Sequence, residues 1–201
     1  MRIVGGIYRS RILRAPTGQA TRPTSDRVRE SLFGLLDAAS LVAGARVADL
    51  YAGTGALGLE AVSRGAVRAI FVEHSPEALR VLRDNVAALG VEAQVQVVAA
   101  DVGRAARRLA ALGPFDLVLA DPPWSLVETG DAPAALARVV DAGALAEGAR
   151  VVVEHAARSA APVIAGLVAV EVRRYGDAAL AIYKPAILGP PRLQPSSPTS
   201  G

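Results

Sequence analysis

Val47-Ala48-Asp49-Leu50-Tyr51-Ala52-Gly53-Thr54-Gly55-Ala56-Leu57-Gly58 decides the fold of this chain. It reads as a buried strand, a glycine-rich turn and the start of a helix. The glycines let backbone approach a ligand closely and permit positive φ where the turn needs it. The helix that follows would aim unpaired N–H groups at the same point. Gly53-x-Gly55-x-x-Gly58 matches a dinucleotide fingerprint in spacing. That fingerprint needs no acid ahead of its glycines, yet Asp49 stands there. A carboxylate beside the turn suits a cationic ligand better than a pyrophosphate. S-adenosylmethionine carries a sulfonium, an ammonium and no phosphate.

Strands and helices alternate outward from this turn. Strands are expected at 46–50, 67–73, about 93–98, 115–120 and 150–154. Helices are expected at about 55–64, 76–89, 102–112 and 131–141, with Pro76 opening and Gly90 stopping the second. This repetition predicts a parallel sheet covered on both faces. Residues 168–175 and 178–183 are strand-like, and only Gly176-Asp177 separates them. Two residues cannot hold a crossover helix, so these runs form an antiparallel hairpin. Ahead of the first strand, 2–4 and 11–14 should pair as a hairpin, and 16–23 reads as a linker. Thr24 or Ser25 should then cap a helix running to about Asp37.

In an open parallel sheet, ligands bind at the carboxyl ends of the strands. Asp49, Glu73, Asp101 and Asp121 all fall at such ends. An ionised Glu73 has two acceptor oxygens for a pair of ribose hydroxyls. Asp101 could accept from an adenine amino group. Taken singly, each acid could equally be a helix cap or a solvated loop residue. After the fourth strand comes Asp121-Pro122-Pro123-Trp124. Two prolines fix φ and remove two donors, leaving a rigid loop of acceptors: the Asp121 carboxylate and the Pro122 carbonyl. Such a loop can hold an exocyclic –NH₂ by its hydrogens and aim its lone pair at a methyl donor. Trp124 offers a face for the base.

Composition narrows the class. The chain has 201 residues, 52% of them hydrophobic, enough for one domain with a core. It lacks cysteine and has two histidines, which excludes disulfides, zinc-thiolate sites and cysteine nucleophiles. No run of 18 apolar residues suggests a membrane span, and no signal peptide is evident, so a cytoplasmic protein is expected. Net charge is +3, but residues 1–31 carry seven arginines against Asp26 and Glu30, leaving the rest slightly negative. A basic arm on a near-neutral body is a footprint for nucleic acid. Arg9 and Arg11 around Tyr8 could pair with phosphate and stack on a base.

The flanking motifs carry a resemblance. Arg2-Ile3-Val4-Gly5-Gly6 with Arg9-Ser10-Arg11, Arg22-Pro23-Thr24 with Arg27-Val28-Arg29-Glu30-Ser31-Leu32-Phe33, and Tyr175-Gly176-Asp177 through Tyr183 resemble the RsmD family. These are bacterial methyltransferases acting on guanine N2 of 16S ribosomal RNA. The resemblance spans roughly 1–184 and implies a Rossmann-like methyltransferase sheet with a small N-terminal hairpin and helix extension. It implies S-adenosylmethionine as cofactor, with Asp49, Gly53 and Gly55 at its methionine part and Tyr51, Thr54, His74 and Val102 among the other residues that bind it. Glu73 would bind ribose and Asp101 adenine, and Thr24 and Arg27 would help close the pocket. Asp121, Pro122, Pro123 and Trp124 would be the catalytic loop, in which the family commonly has Phe or Tyr at the last position. Arg2, Tyr8, Arg9, Arg11, Arg14 and Arg22 would grip RNA. The expected organisation is a basic extension over 1–40, a methyltransferase domain over 41–186 and a disordered tail over 187–201. The expected partner of a monomer is 16S ribosomal RNA, assembling or assembled in the small subunit, without metal or membrane. From the loop alone, adenine N6 in DNA or an amine in protein stays open as the acceptor. An NAD-dependent dehydrogenase and a non-catalytic RNA-binding module are the other readings.

Overall fold

The computed structural model describes residues 1–15 and 26–186. The expected linker, the Thr24 or Ser25 cap, and the tail beyond Ala186 lie outside the described residues, as do Arg22 and Thr24 themselves.

Helix α1 (Asp26–Ala38) precedes an alternating series: β1 (Arg46–Leu50), α2 (Ala56–Ser63), β2 (Arg68–Glu73), α3 (Pro76–Leu89), β3 (Val95–Ala99), α4 (Val102–Leu112) and β4 (Phe115–Ala120). Then come α5 (Trp124–Glu128), α6 (Asp131–Asp141), β5 (Leu145–Ala156), β6 (Leu167–Tyr175) and β7 (Ala178–Pro185). The seven strands form one sheet in the order β3-β2-β1-β4-β5-β7-β6. The first five run parallel; β7 is antiparallel to β5 and to β6.

Local chemistry explains most boundaries. Ser75 caps α3 through Ala78 N–H, Pro76 occupies its first turn, and Gly90 closes it at φ 70°. Successive residues of a strand face opposite sides. Leu50, Val72, Ala120 and Val153 therefore pack with α4 and α6 on one side. Val47, Leu119 and Val152 pack with α1 and α2 on the other. Ile3 and Leu13 of the N-terminal arm join a third cluster with α2, α3 and Phe71.

Three expectations need correction. Strand β5 begins at Leu145, five residues before the expected Arg150, because Leu145 already pairs with Phe115 ahead of a register shift. Strand β3 starts at Val95, since Glu92–Gln94 is taken up by a 3-10 turn. Pro122 and Pro123 lead directly into α5, where no helix is expected from the sequence. Pro123 stands just ahead of its first turn, where its missing N–H costs nothing.

Candidate active site at the strand ends

The order reverses between β1 and β4: from β1 the chain crosses to β2 on one side, and β4 lies on the other. Leu50 is in register with Val72 and with Ala120. Tyr51, Glu73 and Asp121 therefore emerge at one level from three neighbouring strands spaced about 5 Å apart. This is the crevice where doubly wound sheets hold ligands.

The three glycines of the turn divide their labour. A Cβ on Gly58 would lie 2.3 Å from Phe71, and one on Gly55 would lie 2.3 Å from Leu82. Both are packing glycines that seat α2 against β2 and α3. Gly53, at φ 54°, opens onto space: the nearest atom to its Cβ position is the Tyr51 oxygen at 4.0 Å. Of the three, Gly53 is the one whose missing side chain leaves open space. Gly55 is the αL residue preceding α2 and leaves that helix without a side-chain cap.

The acids hold this turn together. Asp49 is buried, and its Oδ2 accepts the Gly58 N–H at 2.8 Å, serving the α2 N-terminus from the strand. Burial pushes its carboxyl well above the usual range; the Gly58 hydrogen bond opposes this, and the nearby charges of Asp121 and Glu73 add to it. Glu73 Oε2 accepts Gly53 N–H at 2.8 Å, and its Oε1 accepts the N–H groups of His74 and Ser75, each at 2.8 Å. Three backbone donors fix its orientation before any ligand arrives. The sequence reading had both oxygens available for ribose. Here Oε1 is already committed twice.

Asp101 caps α4 by accepting from Arg104 N–H at 3.2 Å, so its cap and ligand readings coexist on two oxygens. Val102 is buried at the first position of α4 and has only its backbone N–H to offer a ligand. Tyr51 adopts φ 61°, which is rare for a side chain of its size. Its phenol is pushed up to about 12 by burial and by the charges of Asp101 and Asp131. Thr54 uses its carbonyl to accept from Asn85 and its hydroxyl to reach Met1 sulfur at 3.7 Å. The His74 ring is exposed, 3.5 Å from Glu73. Arg27 is exposed in the first turn of α1.

In the Asp121–Trp124 loop, Pro122 is buried, Pro123 is exposed, and Asp121 and Trp124 are half-buried. The Pro123 carbonyl accepts from Leu126 N–H at 2.9 Å and is committed to α5. The Pro122 carbonyl takes no hydrogen bond among the described residues. Arg158, from beyond β5, lies 5.8 Å over the Trp124 ring and pairs with Glu128 at 2.5 Å. It therefore touches both ends of α5. No sequence signal marked Arg158, because the contact spans 34 residues. Glu154 and His155, both buried near the end of β5, were also missed as anything beyond strand residues.

The N-terminal arm forms a narrow hairpin with a single bridge, Arg2 to Ile12. Several of its predicted RNA-gripping residues are used inside the protein. Arg2 pairs with Asp26 at 3.5 Å and Arg14 with Asp84 at 3.1 Å, while Arg11 donates to the Ala88 carbonyl at 2.7 Å. The two ion pairs are exposed and worth about 0–1 kcal/mol, so an RNA phosphate could displace either. Tyr8 is half-buried against the third cluster. Arg9 is exposed and unpaired among the described residues.

Among those residues no group of histidines and acids could hold a metal ion, and no helix is long and apolar enough to cross a membrane. Residues 1–184 match the model of the family described as conserved hypothetical protein 95. The Bacillus subtilis protein YlbH is 34% identical over 92% of this chain and 98% of its own length. Escherichia coli ribosomal RNA small subunit methyltransferase D is 36% identical over 82% of this chain and 79% of its own length. The solved structure of Escherichia coli yhhF superimposes with a TM-score of 0.78 and 32% identity, over 92% of this chain and 97% of that one.

Proposed function

The chain belongs to the RsmD family, and from that premise we propose that it methylates the exocyclic N2 amine of a guanine in small-subunit ribosomal RNA. S-adenosylmethionine would be the methyl donor. The observation that carries this reading is the pair of acceptors at the end of β4: the Asp121 carboxylate and the uncommitted Pro122 carbonyl, level with the acids of β1 and β2.

The residues present fit the cofactor. Gly53 leaves open space where a side chain would otherwise stand. Asp49 and Glu73 set negative charge beside that space, which favours a cationic ligand. Oriented Glu73 would meet ribose, and the N-terminus of α4 with Asp101 would meet the base. When bound, the cofactor supplies a methyl group on a sulfonium, already a good leaving group.

The chain's own task is then placement. Asp121 and Pro122 accept the two amine hydrogens, which turns the nitrogen lone pair toward the methyl. Trp124 stacks on the guanine, which must leave its helical stack to reach the loop. Holding nucleophile and methyl in line converts an encounter into a unimolecular step. Asp121 also stands where the amine proton is released. The basic hairpin favours RNA over a protein amine.

Labelled S-adenosylmethionine, offered with undermethylated small subunits and separately with naked RNA, tests the reading. N2-methylguanosine at one site is the expected product, and the better acceptor reveals whether ribosomal proteins are needed. Asp121→Ala should abolish transfer and leave cofactor binding intact. Cofactor affinity falling as far as activity would reject that division of roles. A labelled product other than N2-methylguanosine would reject the acceptor.

A further inference from the structure

We infer that the RNA surface continues from the N-terminal hairpin across the outer face of α3, where Arg80 and Arg83 bind backbone phosphates. This deepens the proposed function and rests on it.

The hairpin is locked to α3 by a buried amide, so their relative position does not depend on surface charge. Asn85 accepts from Arg14 N–H at 2.8 Å and donates to the carbonyls of Arg14 at 3.2 Å and Thr54 at 2.9 Å. It is 1% exposed. Arg14 then reaches Asp84 on the same helix, and Arg11 reaches the Ala88 carbonyl.

Positions 80, 83 and 84 are neighbours on a helix surface. They lie opposite Leu79, Leu82 and Val86, which are buried. Arg14 pairs with Asp84 on this exposed face, Arg80 and Arg83 stand at its neighbouring positions, and Arg11 adds a fourth positive charge one turn on. Arg80 and Arg83 are exposed and make no hydrogen bond or ion pair among the described residues. Arg11 and Arg14 steady the hairpin, whereas these two are uncommitted.

The direction of the row also fits. Helix α3 begins three residues after Glu73, at the ligand-bearing edge of the sheet. Arg80 lies about 6 Å along the axis from Pro76, and the hairpin contacts lie further down. A strand bound along this row leads toward the site. Exposed guanidiniums in line match regularly spaced phosphates, which they bind through bidentate contacts.

Arg107 and Arg108 provide an internal comparison. They are equally exposed, but α4 covers the other side of the sheet. RNA affinity should be measured against salt concentration for the wild type, R80Q/R83Q and R107Q/R108Q, using undermethylated small-subunit RNA. Losing two single-strand phosphate contacts should flatten the log–log salt slope by about 1.4 units. KM for RNA should rise at unchanged kcat, R80K/R83K should restore the slope, and S-adenosylmethionine affinity should not move. R107Q/R108Q should behave as wild type. An unchanged slope in R80Q/R83Q, or an equal loss in both pairs, overturns the row while leaving methylation standing. Wild-type protein that binds cofactor yet transfers no methyl to RNA overturns the proposed function and the row with it.

Discussion

Asp49 is 1% exposed, and its carboxyl is held well above the usual range by burial. In the unfolded chain it titrates normally, so the folded protein binds the extra proton. Stability therefore falls as pH climbs from the unfolded value near 3.8 toward the raised one. Asp49→Asn keeps an acceptor for Gly58 and removes the charge. It should raise Tm of the ligand-free protein more at pH 7 than at pH 4, which calorimetry at both values would check. The same change should weaken S-adenosylmethionine binding about 10- to 100-fold, the worth of a charge-assisted contact of about 1.5–3 kcal/mol. Trp124 poses a different question. It is the chain's one tryptophan, so tryptophan emission reports on the Asp121–Trp124 loop alone. A cation over such a partly exposed ring contributes about 0.5–1 kcal/mol. Arg158→Gln should alter that emission and lower kcat about two- to fivefold, with Arg158→Lys partly restoring both. Identical spectra for wild type and Arg158→Gln would show that Arg158 does not hold the ring.

The N-terminal hairpin shows how glycine sequence becomes tertiary contact. Gly6 has φ 75°, and a Cβ there would lie 1.9 Å from the Ser63 carbonyl oxygen at the end of α2. That closeness lets Ile7 donate to the same oxygen at 2.8 Å, while Ser63 Oγ donates to Gly5 O at 2.6 Å and accepts from Tyr8 N–H at 2.9 Å. Buried Glu60 adds an acceptor for Val4 N–H and holds Arg64. Gly6→Ala should cost about 3 kcal/mol through backbone strain and overpacking. Gly34→Ala, in the middle of α1 with nothing within 4 Å, should gain about 0.5–1 kcal/mol. Thermal unfolding of the two variants should therefore shift in opposite directions. The hairpin itself was legible from its flanking apolar residues, but its dock on α2 was not, because Glu60 and Ser63 read as ordinary helix residues. Helix α5 was hidden for another reason. Two prolines usually mark a turn, and five residues are too few to display helical periodicity.

Alternating strands and helices, a glycine turn with an acid before it and a two-residue link near the end were enough to specify a parallel sheet closed by an antiparallel hairpin. These features are local: propensity, hydrophobic period and turn length act within a few residues. The same holds for the strand-end acids, whose positions follow from where apolar runs stop. Strand order was not local. That β7 rather than β6 lies against β5 depends on which hairpin arm is buried on both faces. Ala179 to Tyr183 is buried, while β6, with Glu171, Arg173 and Arg174, takes the edge. The roles of charged side chains also waited on the fold. Arg2, Arg11 and Arg14 are identical in type to Arg80 and Arg83, yet among the described residues the first three have intramolecular partners and the last two do not. Sequence determined the kind of fold and the chemistry gathered at its strand ends. Tertiary structure decided which of those groups were already committed, because a hydrogen bond between residues 56 or 71 positions apart has no signature in either neighbourhood.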